Sequence, residues 1–337
     1  MPPLEPALWA VLLVLGCAGL SAFLILLLRP LLMRHFLAQP NARSSHSVPT
    51  PQGAGLAVMA SVFAGCAVGL GFWMPGIETR LVGLLAAAAG LTLLGAIDDL
   101  HSLSVPPRLA GQALAAMAVV ATLPEGFQIL PGLIPEAIER ILMVLGLVWF
   151  VNAINFLDGL DWMTVAQSVP MTLGVAVLYG LGAVPSTVGL LALTLLGALL
   201  GFAIFNRHPA SVFLGDAGSL PIGLCLAFML IFVAKANLAA ALLLSLYTLT
   251  DSTVTLFRRL LAGERVFAAH RTHFYQRAVA GGLSVPQVTA RIFVLGLLLA
   301  SLAAAAVHAG SPGFDLVALA LGAFATGLAL FALGRGR

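Results

Sequence analysis

Apolar runs of about twenty residues alternate with short polar clusters along the whole chain. A helix needs about 20 apolar residues to cross the roughly 30 Å hydrocarbon core of a bilayer. Only helices and closed barrels satisfy their own backbone groups there. The pattern predicts spans near 7–28, 53–74, 80–97, 109–123, 138–155, 165–181, 187–205, 218–234, 238–256, 286–309 and 314–333. The run at 109–123 is the shortest. The expected fold is an all-α polytopic membrane protein of about eleven transmembrane helices, one domain over 1–337, with its termini on opposite sides.

Composition supports this class. The chain is 61% hydrophobic and 9% charged, against about 25% charged in soluble domains. A net charge of +3 without a basic stripe argues against nucleic-acid binding. Cys17, Cys66 and Cys225 each lie within an apolar run and read as small packing residues. No Lys or Arg precedes the first apolar run, so it reads as a retained span and not a cleaved signal.

Basic residues mark the cytoplasmic side. The segments after spans one, three, five, seven, nine and eleven carry Arg29, Arg34, Arg43, Arg108, Arg207, Arg258, Arg259, Arg265, Arg271, Arg277, Arg335 and Arg337. The opposite side has Arg80, Arg140 and Lys235. This predicts a periplasmic N-terminus and a cytoplasmic C-terminus. Asp98, Asp99, Asp158, Asp161, Asp216 and Asp251 then fall at or near the inner side, so any active site belongs to the cytoplasmic loops.

Five polar clusters carry candidate chemistry. The first inner loop contains Arg43-Ser44-Ser45-His46 and Pro49-Thr50-Pro51; Arg43, His46 and the hydroxyls suit phosphate. Span three ends on Asp98-Asp99, paired acids suited to a divalent metal or a general base. They oppose the dipole of a helix C-terminus. Arg108 and Gln112 follow and read as interface anchors. Span five ends with Asn152, Asn155, Asp158 and Asp161 at i, i+3, i+6 and i+9. On a helix this spacing forms a polar stripe of donors and acceptors for a base, a sugar or a metal, with Gly159 ending the helix. The segment Phe213-Leu214-Gly215-Asp216-Ala217-Gly218-Ser219 sets one carboxylate among glycines between two apolar runs. A charge inside a bilayer costs about 2.5–3.5 kcal/mol on insertion scales, so Asp216 belongs at an interface or in a polar cavity. Ser219 is the expected cap of span eight, leaving free N–H groups for an anion. Phe213 suits stacking on a base or packing. Last comes His270-Arg271-Thr272-His273-Phe274-Tyr275-Gln276-Arg277, where cations and paired imidazoles suit a diphosphate.

Together the RSSH…PTP loop, the DD pair, NxxNFLDGLD, FLGDAGS and HRTHFYQR resemble the polyprenyl-phosphate N-acetylhexosamine-1-phosphate transferases, over about 41–277. That family includes the phospho-MurNAc-pentapeptide translocase and the enzymes that start O-antigen and common-antigen synthesis. The resemblance implies transfer of a sugar 1-phosphate from a UDP-sugar to a C55 polyprenyl phosphate, with release of UMP, at the bacterial inner membrane. It implies Mg²⁺, or Mn²⁺ in its place, on Asp216 with help from Asp98. Asp98 or Asp99 serves as the base that deprotonates the lipid phosphate or helps hold the metal, in one step or through an aspartyl intermediate. The resemblance implies that Asn155, Asp158 and Asp161 line the nucleotide pocket with Phe213 near the uracil, and Asn152 is a further substrate-binding candidate. His270, His273 and Arg271 meet the diphosphate or sugar, and His46 binds phosphate. A homodimer is compatible with this family. Two departures bear on the sugar: Trp162-Met163 replaces the glycine of DGxDG, and Gln52 and Ala54 replace Arg and Gly. The competing class is a secondary transporter, which predicts charges near the midplane and two related halves; a dead scaffold predicts lost motif acids.

Overall fold

The protein is described by a computed structural model over residues 6–38, 49–73, 78–264 and 270–335. Its helices are α1 (Pro6–His35), α2 (Gly55–Trp73), α3 (Thr79–His101), α4 (Val105–Ala121), α5 (Glu136–Leu157), α6 (Met163–Gly180), α7 (Ser186–Ala203), α8 (Asp216–Ala236), α9 (Leu238–Leu261), α10 (Phe274–Ala280), α11 (Val285–Ala309) and α12 (Pro312–Arg335). One antiparallel pair of two-residue strands, β1 (Leu37–Ala38) and β2 (Thr50–Pro51), links α1 to α2.

Every predicted span has its helix. Among the described residues ten are long and apolar enough to cross a membrane. The eleventh, α4, has 17 residues, a rise of about 26 Å, which is short of the hydrocarbon thickness. The protein is a multi-pass helical membrane protein. The sequence pattern does not register α10, because seven residues complete too few turns for an apolar period to show.

Helix α8 is apolar on every face and lies in the interior, packed chiefly against α3 and α5. By contrast α1 is mostly exposed along its length, as a lipid-facing helix is. Between α8 and α9 only Asn237 breaks the helix. Its side chain accepts from the Ala240 N–H at 2.8 Å and its amide donates to Asp315 at 3.2 Å.

Three glycines bring the start of α8 against its neighbours. A Cβ on Gly95 of α3 would collide with the Asp216 carbonyl and the Ala217 nitrogen. A Cβ on Gly55 of α2 would strike the backbone of Gly218. Helices approach this closely only where side chains are absent. The polar end of the bundle is therefore built on backbone contact between α2, α3 and α8.

Candidate active site

Helix α8 does not start as its sequence suggests. Gly215 sits at the N-cap with φ +74°, and the helix begins at Asp216. Ser219, the expected cap, is fully buried inside the first turn and meets the Asn155 amide at 2.9 Å. Asp99 caps the helix instead: its two oxygens accept from the Asp216 and Ala217 N–H groups at 2.9 and 3.1 Å. The helix starts before the expected cap, and a protein carboxylate already holds its first two amides. A side chain on Gly215 would collide with the Asp99 carboxylate, so glycine there serves both the positive φ and the approach.

Adjacent helical side chains diverge by about 100°, and Asp98 points elsewhere. Its Oδ2 meets Arg108 Nε at 2.9 Å, and its Oδ1 accepts from the Leu103 N–H at 2.6 Å. The same guanidinium reaches Asp216 Oδ2 through Nη2 at 2.9 Å. Asp216 Oδ1 accepts from Asn155 Nδ2 at 2.7 Å. Arg108 thus joins the acids of α3 and α8 and is more than an interface anchor. The available signal was weak: one arginine beginning a helix shortly after an acidic pair.

The i, i+3 stripe on α5 holds only as far as the helix does. Asn152 Nδ2 donates to Gln112 Oε1 at 2.5 Å, and Asn155 joins Asp216. The helix ends at Leu157, with Asp158 at the C-cap and Gly159 after it. Gly159 is needed for space, since a Cβ would strike the Tyr275 hydroxyl. Beyond the helix the two acids turn away from the asparagines. Asp158 accepts from the Thr164 hydroxyl. Asp161 meets His208 Nδ1 at 2.6 Å and the Ala210 N–H at 3.0 Å, tying the end of α5 to the loop that leads to Asp216. Trp162 follows with φ +66°, a left-handed conformation that glycine adopts at least cost. Here the left-handed tryptophan is held by its N–H on Asn206 Oδ1 and its indole on the Ala203 carbonyl, both at 2.7 Å.

Burial pushes the Asp158 carboxyl up to about 7, and the nearby Asp99 charge adds to the rise. An acid raised from about 3.9 when unfolded keeps its proton in the folded state between those values. The unfolded chain then binds fewer protons, and stability falls as pH climbs from about 4 to about 7. Asp158→Asn removes that slope. Its Tm relative to the native protein should rise between pH 5 and pH 8 in detergent melts. A difference that stays flat would show that Asp158 ionises normally.

The histidine motif reaches the same end of the bundle. His273 is buried at the N-cap of α10, with Nδ1 3.1 Å from Asp251 Oδ1 on α9. His270 stacks on it with ring centroids 4.9 Å apart. Burial, then the neighbouring His273 and Arg259, pushes the His270 imidazole down to about 4. At neutral pH His270 is therefore a hydrogen-bonding group and not a cation. Tyr275 donates to the Phe156 carbonyl at 3.0 Å, fastening this segment to α5. Arg271 is exposed.

A cavity of about 680 Å³ joins these parts. Arg108, Gln112, Asn152, Asn155, His270, His273 and Gln276 line its polar portion, and Leu109, Val148, Trp149, Leu256, Phe257 and Leu260 are among its apolar walls. Asp98, Asp99, Asp158, Asp161, Phe213 and Asp216 are not among its lining residues; Asp98 and Asp216 adjoin it through Arg108 and Asn155. Phe213 lies on the other side of α8's start. There its backbone pairs with Pro51 and Ala54, at 2.8 and 3.1 Å, and Gln52 Nε2 reaches the Asp99 carbonyl at 3.2 Å. The first motif thus braces the loop carrying Asp216. His46 and Arg43 fall outside the described residues.

The acids of the second, third and fourth motifs sit at helix ends on one side of the bundle, unlike the midplane charges of a transporter. Comparison with known proteins agrees. The profile of glycosyl transferase family 4 matches residues 81–234. A phospho-N-acetylmuramoyl-pentapeptide-transferase of Shouchella clausii is 30% identical over 271 residues, covering 74% of this chain and 81% of the relative. The chain belongs to glycosyl transferase family 4. A probable undecaprenyl-phosphate N-acetylglucosaminyl 1-phosphate transferase of Bacillus subtilis is 28% identical over 82% of this chain and 80% of its own length. A decaprenyl-phosphate N-acetylglucosaminephosphotransferase of Mycobacterium leprae is 27% identical, over 77% and 73%. These glycosyl transferase family 4 relatives are of the polyprenyl-phosphate kind that the five motifs resemble. The family profile spans Asp98, Arg108, Asn155 and Asp216 together, the residues joined by the Arg108 and Asn155 contacts beside the cavity.

Proposed function

We propose that this protein transfers an N-acetylhexosamine 1-phosphate from a UDP-sugar to a polyprenyl phosphate at the inner membrane of a bacterium. This is the first membrane step of a cell-surface polysaccharide. The observation that carries the reading is the cavity itself, where Arg108 and a set of amides, with Asp98 and Asp216 held against that arginine, meet a wall of Leu, Val, Trp and Phe side chains. A lipid phosphate acceptor needs both surfaces, one for its charge and one for its chain. The positive-inside pattern supports a cytoplasmic position for the cluster, on the side where UDP-sugars are made.

In this reading an oxygen of the lipid phosphate attacks the phosphorus nearest the sugar. The P–O bond to UMP breaks, and the lipid-linked sugar diphosphate remains. Such a transfer needs alignment and charge neutralisation more than covalent help. Arg108 supplies fixed donors to phosphate oxygens, and Asn155 and Gln112–Asn152 set the polar wall beside it. Of the adjacent acids, Asp98 faces the guanidinium and serves either as base or as metal ligand; Asp99, spent on the α8 amides, is a positioning residue. His270 and His273 approach the diphosphate or sugar from the opposite wall.

The residues present fit a divalent ion. Asp98 and Asp216 offer hard oxygen donors that converge on one guanidinium. Among the described residues no three His, Cys, Asp or Glu side chains form a ready cage, as suits Mg²⁺, which keeps waters and uses substrate phosphates. Asp216 and Asp98 would hold Mg²⁺ or Mn²⁺, which supplies neutralisation of phosphate charge when bound.

Membranes carrying the protein should release UMP when given undecaprenyl phosphate, Mg²⁺ and a UDP-HexNAc. The names of the relatives make UDP-GlcNAc the first donor to try, with UDP-GalNAc, UDP-QuiNAc and UDP-FucNAc beside it. Lipid-dependent UMP release from one donor supports the reading and names the sugar. Silence across the whole panel would sink it.

A further inference from the structure

Asp251 belongs to none of the five motifs, yet it is a fully buried acid on a membrane-spanning helix. A buried carboxylate is costly unless it is hydrogen-bonded on all sides. Its partners here are all donors or can act as donors. Tyr247 Oη meets Oδ2 at 3.1 Å, and Thr255 Oγ1 meets Oδ1 at 3.3 Å. The Phe274 N–H meets Oδ1 at 3.1 Å, and His273 Nδ1 lies 3.1 Å from the same oxygen. Two of these come from its own helix, one turn to either side. The other two come from a segment more than twenty residues later in the chain.

A carboxylate only accepts, so the imidazole nitrogen facing it must carry the hydrogen. That leaves Nε2 as the free nitrogen of a ring that lines the cavity. Rings close on three sides: His270 at 4.9 Å, Tyr275 at 5.8 Å and Phe156 at 6.3 Å between centroids. The ring can therefore not swing away without losing its acceptor and its stacking, and a flip in place would lose the acceptor. We propose that Asp251 is a positioning residue for the transfer: it fixes the tautomer and direction of His273 so that Nε2 points at the bound diphosphate or sugar. This rests on the function proposed above only for what Nε2 meets. The tautomer and its dependence on Asp251 stand apart from it.

The same acid also caps α10 through Phe274, so a purely structural role must be separated from positioning. The full-length protein labelled with [¹⁵N]histidine reports the tautomer in lipid by solid-state NMR, and a His273→Gln difference spectrum assigns the ring. His273 should show a protonated Nδ1. Asp251→Ala should move the hydrogen to Nε2 and lower kcat for UMP release by about 10²-fold, with KM for the UDP-sugar little changed. Asp251→Asn keeps an oxygen in place. It should retain the Nδ1 hydrogen, with a shifted resonance because the acceptor has lost its charge, and it should recover most of the lost rate.

Combined with His273→Gln, Asp251→Ala should add almost nothing, since both changes remove the same contribution. Additive losses, or a protonated Nδ1 that persists in Asp251→Ala, would overturn the proposal. Should Asp251→Ala fail to fold, Asp251→Asn decides: a His273 resonance identical to the native one overturns it equally. If no donor yields UMP while the tautomer still follows Asp251, the positioning stands and the reaction assignment is what fails.

Discussion

Asp216→Asn should reduce UMP release by at least about 10³-fold while the protein still inserts and folds. The asparagine is nearly isosteric, and none of the backbone packing at the start of α8 involves the Asp216 side chain. What changes is charge and hydrogen-bond sense. The native carboxylate accepts from Arg108 at 2.9 Å and Asn155 at 2.7 Å. An amide has one acceptor and one donor end, so one of those partners would face a donor. The negative charge shared with Asp98 around the guanidinium is also lost, and with it half the oxygen set of the proposed metal site. UMP release from equal amounts of purified native and variant protein measures the effect, with a monodisperse gel-filtration peak showing that the fold survives. A variant within tenfold of native activity would remove Asp216 from the centre of the chemistry.

Gly95→Ala should cost both stability and activity, against the direction that helix propensity gives. In a helix interior alanine is ordinarily favoured over glycine by about 1 kcal/mol. Here the added methyl would collide with the Asp216 carbonyl and the Ala217 nitrogen. Backbone cannot rotate aside as a long side chain can, so α3 and α8 must separate. Overpacking of this kind costs about 1–3 kcal/mol. The separation also pulls Asp99 from the amides it caps at 2.9 and 3.1 Å, and it moves Asp216 relative to Asp98 and Arg108. Activity should fall more than about tenfold, since a displacement near 1 Å can cost about 10²-fold. Gly90→Ala is the control on the same helix, because its Cβ meets nothing within 4 Å. That variant should melt at or above the native temperature with full activity. Equal behaviour of the two variants would show that the α3–α8 contact is looser than the structure has it.

The transmembrane architecture was legible because it depends on local composition. Each predicted span found its helix, and the errors lie at ends and in short pieces such as α10. The family was legible from motif order, and the comparisons support it. The site was legible as a set of residues but not as a set of contacts. Asn152 and Asn155 keep the helical spacing that predicts them, since they lie within α5. Asp158 and Asp161 follow its last turn and lose the stripe. Ser219 looked like a cap, but Asp99, from another helix, takes that place. Arg108 and Asp251 were passed over because a single charge at or near a helix end has many ordinary explanations.

What the amino-acid order determined by itself was which stretches cross the bilayer and which chemistry-bearing residues gather at their ends. Transfer of a segment into hydrocarbon is a sum over its own residues, so a linear reading can perform it. Tertiary structure alone decided which carboxylate meets the guanidinium, which caps α8, and which turns His273 toward the cavity. The first two outcomes depend on helices touching backbone to backbone at Gly55, Gly95 and Gly218, and the third on α10 folding back against α9. Hydrogen bonds act over about 3 Å, and only the packed helices bring residues more than a hundred positions apart within that reach.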